Sequence, residues 1–67
     1  MIQLTPLGKQ VAENTHGSSP GYSILSLLDE SGGSMEVEEI MDAKNLDLDR
    51  ARMFLGDLRS KGYIKEM

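Results

Sequence analysis

FLGDLRSKGYIKE, residues 54–66, carries three local instructions in a row. Phe54, Leu55 and Leu58, with Ala51 just upstream, recur at helical spacings, which predicts a helix that buries one side. Asp47 is placed to cap its start, so the helix is expected over 48–61. Gly62 then stops it. The remaining YIKEM is too short for another helix and reads as a strand.

Upstream, the pattern stays helical. GYSILSLLDE, residues 21–30, has a broad apolar face from Tyr22, Ile24, Leu25, Leu27 and Leu28, as suits a central helix. SGGS, residues 31–34, ends it. In MEVEEIMDAKN, residues 35–45, Val37, Ile40 and Met41 point inward and Glu36, Glu38, Glu39 and Asp42 outward. Its carboxylates gather at the start and Lys44 lies near the end, as the helix dipole favours. Asn45 can take the left-handed conformation that terminates a helix.

The beginning of the chain, MIQLTPLGKQVAEN, is harder to place. Ile2 and Leu4 alternate with Gln3 as in a half-buried strand. Thr5-Pro6 starts a helix that should run to about Asn14, with Leu4, Leu7 and Val11 on one side. THGSSPG, residues 15–21, reads as a loop. The strand has no neighbour in sequence to pair with.

The 67 residues allow one domain, 1–67, that buries only ~60% of the surface of the unfolded chain. The absence of cysteine excludes disulfides and thiolate metal sites, and a single histidine, His16, argues against a metal centre. With 39% apolar and 27% charged residues the composition is that of an ordinary globular domain. No apolar run suits a membrane span and no leader suggests export, so a cytoplasmic location is expected. The net charge of −4 is unevenly spread. From Asp29 to Asp49 eight acids face one base, Lys44, giving −7, whereas Arg50 to Met67 carries five bases and two acids, giving +3.

Enzyme chemistry finds no foothold. The carboxylates are expected on a solvated helix face, and Ser18, Ser19, Ser23, Ser26, Ser31, Ser34 and Ser60 have no rigidly placed base beside them. GGS lacks the lysine of a phosphate loop and leads into an acidic helix. No cofactor and no small-molecule substrate is implied.

From residue 22 onward the order is helix, glycine turn, short helix, tight turn, longer helix, glycine, strand. SILSLLDESGGSMEVEEIMDAKNLDLDRARMFLGDLRSKGYIKE, residues 23–66, resembles the core of a winged helix-turn-helix domain of the prokaryotic transcription-regulator type. FLGDLRSKGYIKE is similar to the end of the recognition helix and the first wing strand. In that family the strand usually turns back into a second, often followed by a segment resembling LTPLGKQVAE. Here IQLT and PLGKQVAEN stand at the N-terminus instead. The resemblance therefore implies a permuted order: a mainly α fold with four helices and a minimal two-stranded antiparallel sheet, residues 2–5 pairing with 63–66. Both termini would meet at an open wing tip, without one of the family's usual DNA contacts. Pairing of IQLT with YIKEM of a second molecule, or a tandem array of such units, are the rival arrangements.

The family implies duplex DNA binding in transcriptional regulation, with the recognition helix in the major groove and the wing on the backbone. Arg50, Arg52, Arg59, Lys61 and Lys65 are the candidates, Arg50 and Arg52 for base edges and the others for phosphates. Opposite the buried side of the helix, however, lie Asp49, Met53, Gly56 and Ser60, with the bases flanking them. A smooth Met53/Gly56/Ser60 face also suits contact with another protein or a second copy of the chain. The acidic helix over 36–42 favours that alternative, because it raises the electrostatic cost of approaching a duplex.

Overall fold

Seven short elements follow from these local signals. A computed structural model of the chain describes residues 1–14 and 20–67. The order is β1 (Ile2–Leu4), α1 (Pro6–Asn14), α2 (Pro20–Glu30), β2 (Ser34–Met35), α3 (Val37–Lys44), α4 (Leu48–Ser60) and β3 (Ile64–Glu66). The loop expected over 15–21 falls largely outside the described residues, as do His16, Ser18 and Ser19; residues 20 and 21 already belong to α2.

The strand at the start of the chain finds its partner at the end of the same chain. β1 pairs antiparallel with β3 in the register Ile2↔Glu66, Gln3↔Lys65 and Leu4↔Ile64. Met1 and Met67 continue the ladder, the Met67 N–H donating to the Met1 carbonyl at 2.9 Å. The intramolecular pairing expected from the sequence is therefore observed.

The sheet itself needs a correction, because it has three strands and not two, in the order β2-β1-β3. Ser34 and Met35, which the sequence assigned to a helix stop and a helix start, pair with Gln3 and Ile2. The Leu4 N–H also reaches the Gly33 carbonyl at 2.8 Å. These contacts give the second edge of β1 hydrogen-bond partners.

Strand alternation sorts the side chains. Ile2, Leu4, Met35 and Ile64 share the face turned to the helices, and Gln3, Ser34 and Lys65 share the other. The inward residues join Ile24, Leu25 and Leu28 of α2, Ile40 of α3 and Leu55 and Leu58 of α4 in one core. Ile24, Leu25, Leu28 and Ile40 have no exposed surface, in keeping with the apolar faces read from the sequence. Leu7 departs from its expected place: it is half exposed, and Gly8 makes the close approach of α1 instead.

That approach is organised by Thr5. Its hydroxyl accepts from the Gly8 N–H at 3.0 Å, capping α1, and donates to the Gly62 carbonyl at 2.6 Å. Its own N–H donates to the Tyr63 carbonyl at 3.0 Å. One residue thus ties the start of α1 to the turn between α4 and β3. Gly62 holds φ +80 in that turn, a conformation that favours glycine.

Between α3 and α4 the turn spans only Asn45–Asp47. Asn45 has φ 54, the left-handed cap expected of it, and the Leu46 N–H closes onto the Met41 carbonyl at 2.8 Å. Asp47 then caps α4 by accepting from the Arg50 N–H at 2.8 Å. α3 and α4 thus follow one another across a capped three-residue turn.

Candidate functional site

α4 supplies most of the site. Ala51, Leu55 and Leu58 are buried and Phe54 is half-buried, so the expected inward stripe is observed. Asp49, Arg50, Arg52, Met53, Gly56, Asp57, Arg59 and Ser60 are all exposed. Met53 is 61% exposed, and a Cβ built on Gly56 would meet no atom within 4 Å. The Met53/Gly56/Ser60 stripe is open surface.

The five candidate bases divide around this stripe. Arg59 lies on the β3 side, its guanidinium 3.7 Å from the Glu66 carboxylate. Lys61 lies on the α2 side, 3.0 Å from Asp57 and with its ammonium 5.7 Å from the centre of the Tyr22 ring. The hydrogen bond and charge of Asp57 hold the Lys61 ammonium above its ordinary pKa. It therefore stays protonated, with part of its field cancelled locally. Among the described residues no ion pair engages Arg50, Arg52 or Lys65. Lys65 projects from the outer face of the sheet, away from the core.

The carboxylates of α3 lie on its solvent side. On α3, Glu38, Glu39 and Asp42 are exposed while Ile40 is buried. Glu39 accepts from the Glu36 N–H at 3.0 Å, half of a capping box, so these carboxylates also stabilise the helix start.

A groove of about 440 Å³ runs between α4 and the sheet. Ile2, Val37, Leu55 and Ile64 form its apolar floor, and Leu48, Arg52, Gly56, Arg59 and Glu66 form its rim. Leu48 is 48% exposed. Gly56 therefore belongs to two surfaces, the outer stripe and this groove. The sequence reading missed Ile2, Val37, Leu48 and Ile64 as groove residues because they come from four separate elements. Leu48 alone left a trace, lying four residues before Arg52 and eight before Gly56 on one helix side.

Among the described residues, no helix is long and apolar enough to cross a membrane. Comparison of the chain with protein-family models, with curated proteins and with solved structures yields no match.

Proposed function

We propose that the chain is a non-catalytic winged-helix module that binds duplex DNA through α4 and the β1–β3 ladder, serving transcriptional regulation in the cytoplasm. One observation carries this reading: α4 follows a three-residue turn, its outer stripe is uncovered, and cations border that stripe on both sides. A helix lying in a major groove has a phosphate backbone along each flank. Arg52 and Arg59 serve one flank, Arg50 and Lys61 the other, and Lys65 on the wing adds a fifth contact. In this reading Arg50 and Arg52 meet phosphates and not the base edges first expected of them. Met53, Gly56 and Ser60 offer the base edges little hydrogen bonding, so affinity rests on phosphates and sequence preference is weak.

Salt dependence tests this. With three to five phosphates engaged, log K should fall against log salt with a slope of about −2.7 to −4.5. A fluorescently labelled random duplex, titrated by anisotropy at several salt concentrations, reads that slope. Absence of binding at micromolar protein in low salt would refute DNA binding.

The groove favours a second reading, contact with another protein. Its floor is apolar, Leu48 stands half exposed at its rim, and Met53 is uncovered nearby. Asp49 and Asp57 on α4, and the acidic α3, impose no penalty on such a contact.

A further inference from the structure

We propose that the free edge of β3, together with the groove beside it, accepts an extended segment of a partner protein as a fourth strand, with an acidic residue set opposite Lys65 between two apolar ones. This inference rests on the protein-contact reading of the groove.

The edge is defined by the ladder. Among the described residues β3 is the last strand of the sheet, and the Thr5 N–H to Tyr63 carbonyl and Met67 N–H to Met1 carbonyl bonds fix the alternation. The Tyr63 carbonyl and the backbone groups of Lys65 and Met67 turn to β1, so Ile64 and Glu66 turn theirs outward. An antiparallel segment can bond both outward residues. Its side chains opposite Ile64 and Glu66 fall on the groove side, and the one between them falls on the outer face beside Lys65.

Charge selects the occupant. On the outer face Lys65 is exposed and, among the described residues, engaged by no ion pair, although the chain as a whole carries −4. A second copy paired about Lys65 is disfavoured, since Ile64 would then face Glu66 and Lys65 would face the partner's Lys65 directly. An acidic residue at that position replaces repulsion with attraction. Apolar neighbours extend over the floor made by Ile64, Leu55 and Ile2.

The experiment titrates isotope-labelled protein with two eight-residue peptides, one centred on Val-Asp-Val and one on Val-Lys-Val. The acidic peptide should shift the Ile64 and Glu66 amides and bind about fivefold more tightly than the basic one, a ratio that Lys65→Glu should invert. Lys65 is exposed and, among the described residues, without an ion pair, so that variant keeps the fold. Shifts at Leu48, Arg52 and Gly56 without any at Ile64 and Glu66 would overturn strand addition and leave groove contact standing. No shift at either place would overturn both. Equal binding of the two peptides would overturn the assigned chemistry. So would concentration-dependent dimerisation through β3, or a DNA duplex shifting the Ile64 and Glu66 amides where the acidic peptide does not.

Discussion

Replacing Gly8 by alanine should lower the melting temperature by roughly 10–20 °C, the result of about 2–3 kcal/mol of lost stability in so small a domain. Gly8 is buried in α1, and a Cβ built on it would overlap the carbonyl of Tyr63 and touch Cδ1 of Leu4. That carbonyl cannot move freely. It accepts from the Thr5 N–H at 3.0 Å, while the Tyr63 N–H is bound to the Leu58 carbonyl at 3.0 Å. The neighbouring Gly62 carbonyl is held by the Thr5 hydroxyl at 2.6 Å. An added methyl must therefore push α1 off the junction of β1 and β3, straining the pairing that closes the sheet. Alanine's better helix propensity recovers only about 1 kcal/mol of this.

Gly56→Ala supplies the internal comparison. Gly56 is helical and exposed, and a Cβ there meets nothing within 4 Å. The same chemical change should raise stability by about 0.5–1 kcal/mol, because propensity is then the only effect. Thermal unfolding followed by circular dichroism reads both variants. Equal melting temperatures for Gly8→Ala and the parent would contradict the packing of α1 against the Tyr63 backbone.

Reversing two charges at the start of α4 should have the largest effect on binding. The double variant Arg50→Glu, Arg52→Glu is expected to reduce duplex affinity by at least ~100-fold in low salt, since two phosphate contacts are lost and two repulsions gained. Its melting temperature should barely change. Both side chains are exposed and no ion pair among the described residues engages them, and the cap of α4 uses the backbone N–H of Arg50, not its guanidinium. Lys61→Ser should weaken binding less than Arg50→Ser, because Asp57 already neutralises part of the ammonium's field. Anisotropy titrations compare the variants. An unchanged affinity in the double variant would remove α4 from the binding surface.

The elements that were legible in the sequence are those with a local cause. Pro6 fixed the start of α1, Asp47 the cap of α4, and Asn45 and Gly62 the ends of α3 and α4. Pairing of β1 with β3 was legible too, through one alternating segment, a stretch after Gly62 too short for a helix, and a resemblance that supplied their order. Ser34–Met35 was not, because two residues show no periodicity and become a strand only when β1 lies beside them. Leu7 was misplaced for a related reason: a count of apolar spacings overlooks glycine, and Gly8 is where α1 touches the sheet. Of the site, the open stripe and three of the cations, Arg50, Arg52 and Arg59, could be read from one helix. The groove could not, since Ile2, Val37, Leu48 and Ile64 meet only in the folded chain.

The most direct test of α4 as a DNA-binding face is an amide shift map of the isotope-labelled chain titrated with a short duplex in low salt. Binding as proposed shifts amides across residues 49–60 and at Lys65 and leaves Glu38, Glu39 and Asp42 of α3 unmoved. An undisturbed α4 at saturating duplex, or shifts gathered on α3, would contradict it.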